Sequence, residues 1–188
     1  MKSFVDQLSK YASYHRDRRN IATHFIGIPM IVAAVVILLS RPAFAVIGGV
    51  AVTPALIVML VTSAYYVKLD WRFGVAMILF LLGCLRLGQW LSVETTSTWL
   101  TWGVGLFVVG WIFQFVGHFY EGKKPAFVDD IMGLIIGPIF VAAEVAFLLG
   151  LRKDVQHAVE ARVGPTIIRK SIAALFFIGC TVPHHFFD

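Results

Sequence analysis

Three histidines have the residue type and the placement to do chemistry: His15 and His24 in YASYHRDRRNIATHFIG, and His118 in WIFQFVGHFYEGKKPAF. Each stands where a long apolar run meets a polar segment. A neutral imidazole ligates zinc, copper or iron, and an all-nitrogen site with open positions suits ferrous iron and dioxygen. Taken singly, each histidine reads as a headgroup-facing or satisfied interfacial residue. Taken together at one boundary they read as a metal site, because polar groups at the edge of a bilayer must find partners.

Spacing constrains that site. Nine residues separate His15 from His24, which on one straight helix leaves them about half a turn out of phase. They share a ligand only if the chain bends between them, near Arg18-Arg19-Asn20. Tyr11, Asn20 and Gln114 each precede one of the histidines by four residues, so every imidazole has a polar neighbour one turn earlier. Such neighbours can orient a ring or hold a water. Glu121, three residues past His118, is a candidate ligand, base or lysine partner. Asn20, Gln114 and Glu121 are therefore the candidate catalytic residues. Arg19, Lys123 and Lys124 are candidates for binding a carboxylate or phosphate headgroup, with a purely topological role as the plainer alternative. Asp129 and Asp130 read as helix caps. Glu144 falls inside an apolar run, about 14 residues or roughly 20 Å from the boundary, and reads as structural. His157 has no partner motif, and His184-His185 become reserve ligands only if the tail folds back.

The elements that must position these residues are apolar helices. Of the 188 residues, 59% are hydrophobic and only 14% charged, against about 45–50% and about 25% for a soluble domain. The apolar residues come in long runs with no amphipathic period. Residues 3–19 form an amphipathic interfacial helix, with Phe4, Leu8, Tyr11 and His15 at helical spacing. Five runs follow, at about 21–39, 43–67, 73–91, 100–120 and 131–151, each near the ~20 residues a span needs. Pro54 and Gly137-Pro138 read as kinks. The fold class is thus all-α, a polytopic transmembrane bundle of about five hydrophobic helices behind an N-terminal interfacial helix. Residues 1–155 read as one membrane-embedded catalytic domain. Residues 156–188 read as a polar segment and a short apolar helix, docked or interfacial. The N-terminus is too polar for a signal peptide.

The net charge of +5 lies in short segments beside apolar runs, as the positive-inside rule and anionic headgroups require, so nucleic acid is excluded as a partner. Cys84 and Cys180 lie in apolar stretches without CxxC spacing and read as inert buried thiols. Lys2, Lys10, Arg16, Arg18 and Arg19 place the N-terminus in the cytoplasm, with His15, His24 and His118 at that face. Five full spans would then put the tail outside, yet it carries Arg152, Lys153, Arg162, Arg169 and Lys170. A fifth segment that re-enters, or a run that does not fully span, resolves the conflict.

Two stretches carry a family resemblance. In the first, Tyr11, His15, Asn20, His24, Gly27 and Pro29 match a motif; in the second, QFVGHFYEGKKPAFVDD, the matches include Gln114, Gly117, His118, Glu121 and Asp129-Asp130. With YYVKLD at 65–70, they resemble the small membrane proteins typified by the yeast 2-hydroxy fatty acid dioxygenase, over about residues 8–153. The resemblance implies an Fe(II) enzyme of fatty acid α-oxidation. It would take a long-chain 2-hydroxy fatty acid and O2 and yield the acid one carbon shorter. Iron would be held by His15, His24 and His118, with a cation from the EGKKP loop on the carboxylate. The setting implied is an integral membrane protein, in the endoplasmic reticulum of a eukaryote or the inner membrane of a bacterium. The main alternative is a non-enzymatic lipid-binding or transport protein, whose spans should carry more polar residues than Glu144 alone. Diiron hydroxylases need more histidines than the six present, in HxxxH and HxxHH boxes.

Overall fold

In the computed structural model, which describes residues 3–168, a short helix α1 (Phe4–Ala12) opens the chain. A capping box fixes its start, Ser3 and Asp6 exchanging side chain–backbone hydrogen bonds. Four helices then run up and down: α2 (Arg18–Leu38), α3 (Pro54–Leu69), α4 (Trp71–Ser92) and α5 (Thr96–Glu121). A single turn, α6 (Ala126–Asp129), leads to a fifth apolar helix, α7 (Met132–Leu148), and a polar one, α8 (Lys153–Val163). This is the expected all-α bundle with five hydrophobic helices. Helices α2, α4 and α5 are long and apolar enough to cross a membrane. Their outer faces are apolar too: Leu79, Trp90 and Ile112 are all more than half exposed, which water does not favour and hydrocarbon does. The expected C-terminal apolar helix, with Cys180, His184 and His185, lies outside the described residues.

Helix α1 is docked rather than merely laid on a surface. Leu8 and Ala12 are fully buried, and Phe4 packs on Phe73 at the start of α4 with ring centroids 5.2 Å apart. The tightest pair is α2 with α5, and glycine is the reason. Gly103, Gly110 and Gly117 recur every seven residues on α5 and face α2. A methyl group on Gly110 would sit 2.9 Å from the carbonyl oxygen of Gly27, itself a glycine on α2. Without side chains there the two backbones approach closely, and dispersion holds apolar helices together where no water is squeezed out.

Two expectations need correction. The apolar run from 43 to 67 is not one kinked helix. Ala45–Ile47 (β1) and Val50–Val52 (β2) pair antiparallel in a small hairpin, turned by Gly48 and Gly49 at φ +58° and +80°. Pro54 is no kink but opens α3 at a position where its missing N–H costs nothing, behind the Thr53 cap. Helix α3 is therefore only 16 residues long.

The second correction concerns α7, which does not pass from one end of the bundle to the other. One end holds Leu39, Ala55, Ser92 and Glu94: the Ala55 N–H donates to the Leu39 carbonyl, and Arg41 donates to the carbonyls of Ser92 and Glu94. The other end holds the starts of α2 and α4 and the finish of α5. Both termini of α7 are tied to this second end, through Lys10–Asp130 at 2.6 Å and Arg152–Asp70 at 2.9 Å. Residue Ile167 returns there as well, its N–H donating to the Arg16 carbonyl and its carbonyl accepting from Arg18. Helices α7 and α8 meet at a bend of 113°. The re-entrant arrangement keeps Arg152, Lys153 and Arg162 on the same side as the basic N-terminal segment, which removes the charge conflict. In a Cys84→Ser/Cys180→Ser background, His157→Cys and Val128→Cys should label with an impermeant maleimide from one face of the membrane, and Glu94→Cys from the other. Labelling of His157→Cys together with Glu94→Cys would show that α7 crosses.

Candidate metal centre

The bend required between His15 and His24 comes earlier than Arg18-Arg19-Asn20. Helix α1 stops at Ala12 and α2 starts at Arg18, leaving a break at Ser13–Asp17 with His15 in its middle. Asp17 caps α2, accepting from the Arg19 N–H at 2.9 Å. The break leaves main-chain donors needing partners inside the protein. Glu121, at the last turn of α5 and 1% exposed, supplies the acceptor. Its Oε2 receives the N–H groups of Arg16 at 2.9 Å and Asp17 at 2.7 Å, and the side-chain amide of Asn20 at 3.1 Å. One carboxylate thus clamps the His15 loop onto the helix that carries His118.

The three imidazoles meet inside this clamp. Their ring centroids lie 4.6 Å (His15–His24), 4.9 Å (His15–His118) and 5.2 Å (His24–His118) apart. Each offers one ligating nitrogen, and these three atoms fall within 4.8 Å of one another. His15 and His24 are fully buried and His118 is 7% exposed. The Nδ1 atoms of His15 and His24 are committed to main-chain carbonyls, of Tyr11 at 2.7 Å and Asn20 at 2.8 Å. That fixes the proton on Nδ1 and leaves Nε2 as the lone-pair donor. Those two Nε2 atoms, and Nδ1 of His118, are buried without any hydrogen-bond partner. Three orphaned imidazole nitrogens facing one point are what a metal ion satisfies, and such groups are otherwise costly to bury. Burial, reinforced by His24 and His118 beside it, holds the His15 imidazole well below its ordinary range, in the neutral form a metal requires. Linkage gives the sign for the metal-free protein. Unfolded imidazole takes a proton as pH falls through about 6.5, the folded site refuses it, and stability drops on the acid side.

The polar neighbours act differently from their spacing. The main-chain carbonyls of Tyr11 and Asn20, rather than their side chains, orient the rings. The Tyr11 ring instead stacks on His15, centroids 4.1 Å apart and 7° from parallel. Gln114 makes no contact that would orient His118; its buried Nε2 has no partner, and the residue lines a cavity of about 60 Å³. Tyr11, Ile28, Trp111, His118 and Pro138 also line that cavity. Glu121 serves as the loop clamp described above. The three cations do not line the cavity either. Arg19 is paired with Asp17 at 2.8 Å and covers the Tyr120 ring. Lys123 donates to the Ser13 carbonyl at 2.8 Å, and Lys124 pairs with Asp129 at 2.5 Å. Asp129 and Asp130 serve these lysine contacts and the start of α7.

Sequence reasoning missed Arg16. It is 5% exposed, donates to the carbonyls of Ala12, His15 and Gly164 at 2.9 Å, and lies 3.7 Å from Glu144. The unpaired-looking carboxylate of Glu144 was its signal, since a buried acid demands a cation. The estimated 20 Å separation hid the pairing, because it assumed that α7 descends through the bilayer. Glu121→Gln tests the clamp, since it keeps the shape and removes the charge. Charge-assisted bonds are about 1–2 kcal/mol stronger than neutral ones, so metal affinity should fall at least about tenfold with helix content unchanged by circular dichroism. Unaltered affinity would leave the clamp without a role in the site.

Comparison with known proteins gives the family. Residues 1–149 match the Mpo1-like family, described as "2-hydroxy-palmitic acid dioxygenase Mpo1-like". The chain is 32% identical over 164 residues to the 2-hydroxy-palmitic acid dioxygenase MPO1 of Saccharomyces cerevisiae, covering 83% of this chain and 89% of the yeast protein. No solved structure matches. Both histidine motifs and the Glu121 clamp fall within the matched region, and the chain belongs to the Mpo1-like family.

Proposed function

We propose that this protein is a membrane-embedded, iron(II)-dependent dioxygenase that shortens long-chain 2-hydroxy fatty acids by one carbon. The observation that carries the reading is the convergence of three unpartnered imidazole nitrogens beside a largely apolar cavity. His15, His24 and His118 fit a metal by donor type, protonation and burial, and three neutral nitrogens leave further coordination positions open. A bound ferrous ion supplies the redox chemistry that lets dioxygen react with a hydroxy acid.

The chain's own residues do the rest. The Tyr11 and Asn20 carbonyls hold two imidazoles in the ligating tautomer. Glu121 holds the His15 loop against α5. Gln114 offers an amide N–H, and Tyr11 a phenol that burial keeps protonated, to the oxygens of the acid. Trp111, Ile28 and Pro138 keep water from the reacting end. Lys123 and Lys124 lie in the loop after α5, beside the Pro125 and Ala126 that line the cavity, and their positive charge favours approach of an anionic headgroup. The yeast relative's name specifies a 2-hydroxy acid with a palmitic chain, and the same chemistry fits an apolar bundle with its polar site at one end.

The test is direct. Protein purified in detergent or nanodiscs, loaded anaerobically with ferrous iron, should consume oxygen and convert 2-hydroxypalmitate to pentadecanoate. Zinc-loaded protein should not. Turnover with zinc, or none with iron, would overturn the proposal.

A further inference from the structure

A second groove joins the cavity at the histidines. It has a volume of about 370 Å³ and shares Ile31, Val32, Trp111, Leu134 and Pro138 with that cavity. From there it runs between α2 and α3 toward the far end of the bundle, where Leu39 and Ala55 close it. Its walls are apolar apart from Thr62 and Tyr66, and the Tyr66 hydroxyl is engaged by the Ile135 carbonyl at 2.6 Å. Its side is open, with Val58 on α3 and Phe107 on α5 at the lips, 49% and 37% exposed. The polar end is unlike the rest. Along this path, among the described residues, the lining side chains with buried polar atoms lacking partners are Gln114 and His118, both at the histidine end.

We propose that this groove is the channel for the alkyl chain of the substrate acid, entered sideways from the membrane, with Ala55 and Leu39 as the stop that sets chain length. The proposal rests on the catalytic reading above and extends it to specificity. Continuity with the histidine cavity selects the occupant: a ligand whose head lies at His118 finds this apolar path for its tail among the described residues. Length agrees. From Ile28, beside the histidines, to Leu39 helix α2 rises roughly 16 Å at about 1.5 Å per residue. An extended alkyl chain advances about 1.25 Å per carbon, from bonds of about 1.52 Å at tetrahedral angles. The channel therefore takes about 13 carbons beyond the headgroup. Residues on α3 give a scale along it. Thr62 lies two turns nearer the histidines than Ala55, a difference of about 10 Å.

The experiment has two arms in iron-loaded nanodiscs. The first compares turnover of 2-hydroxypalmitate with that of 2-hydroxylaurate. Two methylenes that no longer fit lower the ratio roughly tenfold, at about 0.8 kcal/mol each. Ala55→Leu should lower the ratio by about that factor, and Thr62→Phe by clearly more. An unchanged ratio in both variants overturns the channel. The second arm needs no turnover. A 2-hydroxypalmitate analogue with a terminal diazirine should cross-link to peptides holding Leu39, Ala55 and Met59, and unlabelled 2-hydroxypalmitate should suppress this. Cross-links scattered over the outer faces of α4 and α5, indifferent to competitor, mean that only bulk lipid fills the groove and overturn the channel. Wild-type protein that oxidises no acid yet shows the competed cross-links refutes the catalytic reading while supporting the channel.

Discussion

His24→Ala protein should bind no ferrous iron and turn over no 2-hydroxy acid, while keeping its helices. His24 is fully buried, is fixed by the Asn20 carbonyl, and contributes one of the three nitrogens that the described residues bring together at the site. Losing a partner that merely orients a ligand typically costs about 10–100-fold in metal affinity, so losing the ligand itself should exceed about 100-fold. Thermal unfolding gives a readout independent of activity. A metal that binds only the folded state stabilises it by mass action. Iron should therefore raise the melting temperature of the wild type and leave that of His24→Ala unmoved. The same holds for His15→Ala and His118→Ala. A variant that still gains stability from iron, or matches the wild type in metal content by elemental analysis, would remove that histidine from the site.

Gly117→Ala should damage the site nearly as much without touching a ligand. An added methyl group would collide with the Thr23 hydroxyl and the Asn20 side-chain carbonyl and lie 3.2 Å from Nδ1 of His24. Overpacking a filled interface costs about 1–3 kcal/mol, and here the displaced atoms belong to the residues that set His24. Gly105→Ala, on the same helix, is the control. Nothing lies within 4 Å of its added methyl group, and helix propensity favours the alanine by up to about 1 kcal/mol. Gly117→Ala should lower the melting temperature and lose iron binding; Gly105→Ala should do neither. Equal behaviour of the two would mean that α2 and α5 have room to separate.

The histidines were legible in the sequence because hydropathy alone fixes where an apolar helix ends, and charge alone gathers such ends on one side. Helical phase also demanded a bend between His15 and His24. Its position was not legible, because the break is stabilised by Glu121, whose main-chain partners lie over a hundred residues away. Glu121 itself was visible as a nearby acid, but its use was not: a carboxylate beside a metal site can ligate, accept a proton or hold backbone, and only geometry distinguishes them. The run from 43 to 67 misled because hydropathy does not distinguish a hairpin from a helix. Gly48-Gly49, with positive φ at both residues, was the local signal against a helix. The run from 131 to 151 had the length and apolarity of a span, although helix α7 within it is only 17 residues long. Only the tail's positive charge argued otherwise, and the ion pair of Arg152 with Asp70 shows why. Arg19, Lys123 and Lys124 were read as headgroup ligands, and their charges are turned to Asp17, the Ser13 carbonyl and Asp129.

The tie between Ile167 and the His15 loop also sets a clock on assembly. The loop's backbone pairs with Ile167, and Arg16 is held by the Gly164 carbonyl. These residues are translated after all five apolar helices of the described residues. His15 is therefore translated early, while part of what holds its loop is translated late. A nascent chain stalled after α7 would hold all three imidazoles but lack the Ile167 and Gly164 contacts that pin the loop carrying His15.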